Sequence, residues 1–226
     1  HFNGRPISSD VADQYLSAIV EAFNPSEFGG EVIADILTGK VNPSGKLPLS
    51  VAYNSGQIPI YYNHPNGSSY HQGESIGFQN YVDLPHFPRY YFGHGLSYTS
   101  FKYENLSISK AEVDANEILN ISCEITNTGK CRGTEIVELY FKDVRASMVR
   151  PCMELVGFAR VELEENETKK VRFDISPSVL AFLDLDMEWL VEKGEIKVMV
   201  GASSNDIRLE GNFWVNNSSY IDGSQR

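Results

Sequence analysis

Between Tyr61 and Asp83 the sequence gathers side chains suited to gripping polyhydroxylated molecules. Tyr61, Tyr62, Tyr70, Phe78 and Tyr81 offer flat apolar faces, with His64, His71, Glu74, Gln79 and Asn80 interleaved among them. Rings of this kind stack on the carbon faces of sugars, while carboxylates, amides and imidazoles bond hydroxyls. Tyr70, His71, Glu74 and Phe78 are the candidate substrate-binding residues. An alternative stays open at this point, an Ω-like loop packed on its own rings. Acid–base chemistry on such a molecule would ask for a positioned carboxyl as well. Glu74 is the carboxylate this loop offers, and no catalytic role is assigned to it or to any other residue.

Other chemistries leave no trace in the sequence. There is no Gly-x-Ser-x-Gly elbow and no His-Glu-x-x-His pair, and His1, His64, His71, His86 and His94 lack metal-ligand spacing. No metal and no cofactor is expected. A formal net charge of −11 argues against nucleic acid, whose phosphates need clustered Lys and Arg, and against an anionic membrane surface. No apolar run reaches the length of a membrane span. Three cysteines, Cys123, Cys131 and Cys152, are too few and too scattered for a disulfide framework. They suit a reducing compartment, so a cytoplasmic location is expected, with secretion as the alternative.

The elements that must position the aromatic loop differ on its two sides. Before it, Ser8-Ser9-Asp10 offers an N-cap, and Val11, Tyr15, Ala18, Ile19 and Ala22 recur at helical spacing as far as Phe23. A second helix is expected over 28–38, stopped by Gly39, followed by the turn Asn42-Pro43-Ser44-Gly45 and a strand over 47–51. Helix, helix, turn and strand fit the closing half of an α/β unit. After the loop, period-two alternation marks strands near 101–108, 119–126, 137–141, 155–163, 171–175, 196–200 and 207–213. About seven short strands divided by turns are the mark of an immunoglobulin-like or fibronectin type III-like sandwich. Four apolar residues at the boundary, Phe92, Leu96, Tyr98 and Phe101, are expected to be buried between the two parts. The expected division is an α/β segment over 1–60, an aromatic loop and junction over 61–97, the all-β sandwich over 98–217 and a tail over 218–226.

Five stretches carry a family resemblance. Phe92-Gly-His-Gly-Leu-Ser-Tyr-Thr-Ser-Phe101 resembles the FG(Y/H)GLSYTxF signature of glycoside hydrolase family 3. Gly29 to Pro48 resembles that family's GGxAIADVLxGxxNPSGrLP block, and Gly4-Arg5-Pro6 its GRP turn. Arg150 to Phe158 resembles the RPxxELxGF element of its fibronectin type III-like domain, and Gly194 to Ser204 resembles the GxYxVxVGxSS strand. Arg150 and Glu154 sit at a strand entry and read as structural.

The resemblance implies the end of an α/β sandwich followed by the fibronectin-like domain of a retaining β-glycosidase, a β-glucosidase in the first instance. A β-xylosidase, or a non-catalytic carbohydrate-binding or interaction module, is the alternative. In that family the nucleophile is an Asp of a (β/α)8 barrel and the acid/base is usually a Glu of the α/β sandwich. The Ser-Asp-Trp type motif of the nucleophile does not occur here, since Trp189 and Trp214 follow Glu188 and Phe213. The acid/base would precede the GRP turn. Phe78-Gln-Asn-Tyr-Val-Asp83 keeps the family's Tyr and Asp but has no arginine at 79 or 80, so whatever role that arginine carries has no counterpart. The chain opens without an initiator methionine and reads as a piece of a longer polypeptide. Its expected partners are a β-glucoside or oligosaccharide and the missing barrel.

Overall fold

The computed structural model describes residues 4–5, 7–65 and 84–225. The seven strands expected after residue 98 are present and pack as a sandwich. One sheet orders β1 (Phe101–Ile108), β3 (Leu119–Asn127) and β6 (Thr168–Ile175) as β1-β3-β6. The facing sheet orders β2 (Glu112–Val113), β4 (Gly133–Asp143), β5 (Glu154–Leu163), β9 (Gly194–Ser203) and β10 (Asp206–Val215) as β2-β10-β9-β4-β5. Pairing is antiparallel throughout except between β2 and β10. A small third sheet joins β7 (Phe182–Leu183), β8 (Trp189–Val191) and β11 (Ser219–Tyr220).

The alternation that announces the strands also fills the core. Leu119, Ile121, Cys123 and Ile125 of β3 are buried against Val137, Leu139 and Phe141 of β4 and Ile196, Val198 and Val200 of β9. Phe141 meets Phe213 edge-on, with ring centroids 5.4 Å apart. Each such side chain stabilises the fold by about 1.5–3 kcal/mol. Arg150 bears out the structural reading. Its guanidinium bonds Glu154 and the Leu180 carbonyl, both at 2.8 Å, and lies over the Phe182 ring.

The preceding segment is less regular than its sequence pattern. The first helix, α1 (Asp10–Tyr15), is capped by Ser9 and stops at Leu16, eight residues short of the expected end at Phe23 counted from Tyr15 (23 − 15 = 8). Val11, Tyr15 and Leu16 are exposed, and a short helix whose apolar side has no cover does not propagate. The second helix, α2 (Gly29–Leu37), is close to the expected 28–38. The strand expected at 47–51 does not form. Leu47 instead exchanges backbone bonds with Gly93 and His94, and Val51 with Arg89 and Tyr90; Pro48 between them has no N–H to continue a ladder.

This segment covers the outer face of β4 and β9. The Ser204 amide and hydroxyl both donate to the Phe92 carbonyl at 3.0 Å, and the Cys152 amide donates to the His64 carbonyl at 2.7 Å. Asn42 holds the Arg132 carbonyl with its amide nitrogen and receives the Tyr98 backbone N–H at 2.8 Å. As a result β4 is buried on both sides. The four-residue apolar seal expected here is a correction, however. Phe92 and Phe101 are half-buried, while Leu96 is 58% and Tyr98 52% exposed. Backbone and side-chain hydrogen bonds and close glycine contacts hold the two parts together, with Leu96 and Tyr98 left outside the seal.

Candidate functional site

Tyr70, His71, Glu74 and Phe78 lie outside the described residues, as do Tyr81 and Asp83. The structure does describe where the loop leaves and rejoins the molecule. On the entry side, Tyr62 stacks on Phe92 with centroids 4.4 Å apart and meets Tyr140 at 6.0 Å. Its hydroxyl receives the Leu155 amide at 3.3 Å, and Pro65 bridges Pro151. The entry stem is thus fastened to the sandwich, at the connection between β4 and β5. On the exit side, the Gln57 amide holds the carbonyls of Pro85 and Phe87. Arg89 is buried, pairs with Asp10 and Asp13 of α1 and stacks its guanidinium on Tyr53 at 4.2 Å. Tyr90 donates to Asp13 at 2.5 Å.

Between the two stems lies a cavity of about 340 Å³ lined by Tyr62, His86, Phe87, Tyr91, Met153 and Ser204. Its wall combines rings with hydroxyl and imidazole groups, the same chemistry the sequence concentrates between Tyr61 and Asp83. Tyr61 beside it is exposed. A second cavity, of about 370 Å³, opens between Lys46, His94, Glu135, Ser203, Asp206 and Arg208. Its charges are mutually paired: Lys46 with Glu135 at 3.1 Å and Arg208 with Asp206 at 2.7 Å.

The titratable groups of this face are shaped mainly by burial. Burial pushes the Tyr62 phenol up and the His64 and His94 imidazoles down, with Lys46 adding to the effect on His94. The hydrogen bond from Tyr90, with help from Arg89, holds Asp13 below the usual carboxylate range, while burial and Asp13 together push Tyr90 up to about 12. Burial takes the Cys123 thiol up to about 11 and raises Cys152. Among the described residues no group of three or more His, Cys, Asp or Glu converges as a metal site would require.

Sequence reasoning missed one carboxyl. Glu138 on β4 is 4% exposed and is pushed up to about 7 by burial. A pKa near neutrality is what a general acid needs, but Gly93 and Tyr140 close over the group and no substrate reaches it. Its one signal in the sequence is position. In Val137-Glu-Leu-Tyr-Phe141 the polar face of the strand carries a tyrosine beside the glutamate.

A short segment clasped onto the outer face of a fibronectin-like sandwich defines a two-part module. The family comparisons divide the chain in the same way. Residues 1–98 match the glycosyl hydrolase family 3 C-terminal domain, and residues 135–204 match a fibronectin type III-like domain. The chain belongs to glycoside hydrolase family 3. It is 38% identical to thermostable β-glucosidase B of Acetivibrio thermocellus over 223 residues, 97% of the chain and 29% of that protein. It is 39% identical to a putative β-xylosidase of Formosa agariphila over 204 residues, covering 90% and 26%. Among solved structures, the β-glucosidase of Listeria innocua in complex with glucose superposes with a TM-score of 0.88 at 35% identity, covering 96% of this chain and 30% of that one. The chain spans under a third of the length of the curated relatives it matches.

Proposed function

We propose that this chain is the C-terminal, non-nucleophilic part of a retaining β-glucosidase that removes terminal β-D-glucosyl residues. The observation that carries this reading is the unfinished state of the α/β segment. Val11 and Tyr15 of α1, and Val32 and Leu37 of α2 with Phe28 beside it, present exposed apolar side chains on one short segment. Apolar surface gathered on one segment marks an interface. The remainder of the α/β sandwich and the (β/α)8 barrel of the same enzyme are its proposed partners, and the barrel supplies the Asp nucleophile.

In this account Tyr70, His71, Glu74 and Phe78 face the barrel and border the sugar site there. The cavity among Tyr62, His86 and Tyr91 lies between the described residues that flank that loop. The free thiols of Cys123, Cys131 and Cys152 are in keeping with a reducing, cytoplasmic setting.

A β-xylosidase is the second reading, favoured by the 39% identity to the Formosa agariphila protein. Aryl β-glucoside and aryl β-xyloside, compared as kcat/KM in the enzyme that contains this chain, separate the two. Preference for the glucoside supports the first reading, and preference for the xyloside replaces it with the second.

A further inference from the structure

The outer face of β4 carries a buried carboxyl that the proposed reaction does not use. Glu138 lies on the side of the strand opposite Val137 and Leu139, where a sandwich strand ordinarily meets water. Here the junction covers it. Gly93 holds φ at 81° and lays its backbone on the carboxylate; a Cβ there would stand 2.7 Å from Oε1 and 2.8 Å from the Cα of Ser203. From β4 itself, the Tyr140 hydroxyl donates to Oε2 at 2.5 Å.

The charged and titratable groups facing Glu138 come from each neighbouring element. Lys46 approaches from the segment before Val51, but its ammonium is bonded to Glu135, not to Glu138. His94 follows Gly93 on the turn and stacks on Tyr90 at 5.5 Å. Tyr62 lies beyond Tyr140. The residues paired with Glu138 on the adjacent strands, Gly201 of β9 and Phe158 of β5, carry no charge. An ionised carboxylate enclosed in this way is costly, while the protonated form keeps its hydrogen bond and loses little.

We propose that Glu138 is a proton-operated latch between the two parts of the chain. With the carboxyl protonated, the turn around Gly93 rests closed on β4; ionisation loosens that contact. Burial pushes the group up to about 7, with Glu135 adding to it and Tyr140 and Lys46 opposing. Once the junction opens, the carboxyl returns toward its ordinary value of 4.5. The closed form therefore keeps a proton that the open form releases. The stabilisation is complete below 4.5 and is lost as pH rises to about 7. His94 works with the opposite sign, because its pKa is depressed, and its contribution cancels when wild type and a Glu138 variant are compared.

Amide hydrogen exchange in the intact protein tests the latch. The Gly93 amide donates to the Leu47 carbonyl at 2.8 Å and the Ser204 amide to Phe92 at 3.0 Å, so both report on the junction. With intrinsic rates divided out, their protection in wild type relative to Glu138→Gln should fall about tenfold per pH unit from pH 5 to 7 and then level off. The amide of Ile121 in the sandwich core opens only with the whole fold, so its protection should exceed that of both junction amides at every pH. A ratio independent of pH, or junction amides as well protected as Ile121, overturns the proposal. If Glu138→Gln does not fold, Tyr140→Phe provides the second measurement. It removes a bond that holds the carboxyl down, so the break point should move to higher pH; an unmoved break point overturns the latch.

Discussion

The phenol of Tyr98 donates to the carbonyl of Ile36 at 2.7 Å, across 62 positions of sequence. Tyr98 belongs to the aromatic–glycine turn and Ile36 to the last turn of α2, so the bond joins two stretches that each resemble a family signature. It also satisfies a carbonyl near a helix end, where intrahelical partners run out. Because the ring is half in solvent, the tyrosine works through its hydroxyl more than through buried area. Tyr98→Phe should cost about 1 kcal/mol and lower Tm by roughly 2–4 °C. A calorimetric scan that superimposes on wild type would show that the bond does not hold the helix.

Gly93 is the tighter constraint. Its positive φ is strained for any L side chain, and an added Cβ would strike the Glu138 carboxylate and the backbone of Ser203. Neither neighbour is the free end of a flexible side chain in open space. Gly93→Ala should therefore destabilise by about 2 kcal/mol or more, beyond the cost of an ordinary surface substitution. Urea denaturation gives the value directly, and an unchanged midpoint would mean that the turn does not pack on β4 as described.

The pH response of His94 has a definite sign. Burial, with Lys46, depresses its pKa from 6.5 in the folded state, so the stability linked to it is present above 6.5 and lost as pH falls through the depressed value. His94→Phe keeps a ring against Tyr90 and removes the titration. The stability advantage of wild type over this variant should shrink from pH 8 to pH 5, read as the difference in Tm. A gap that widens on acidification would place the imidazole in a setting that favours its charge.

The sandwich was the legible part of the sequence, because each strand writes its two faces as alternating letters. The pattern Leu119, Ile121, Cys123, Ile125 could mean little else. The α/β segment was harder. Helical spacing from Val11 to Ala22 implied a long helix, yet spacing records which residues want cover, and α1 stops where cover is lacking. The strand over 47–51 failed on one residue, Pro48, whose missing N–H outweighs the apolar letters around it. Leu96 and Tyr98 show the same limit from the other side: apolar type alone did not predict burial when hydrogen bonds carry the contact. The burial of Glu138 was not legible because Gly93, 45 positions away, imposes it (138 − 93 = 45). The candidate sugar-binding residues Tyr70, His71, Glu74 and Phe78 rest on their chemistry and spacing in the sequence.

The central claim is that this chain is one part of a β-glycosidase whose nucleophile and acid/base lie on other parts. Losing either carboxylate costs several orders of magnitude in rate, and losing the sugar pocket costs more. The direct measurement is hydrolysis of an aryl β-glucoside by the purified chain alone and again after mixing with the separately produced barrel and preceding sandwich portion. The account predicts no turnover above background for the chain alone and turnover once the parts associate. Turnover by the isolated chain, abolished by Glu74→Gln, would contradict it and place the catalytic acid in the aromatic loop.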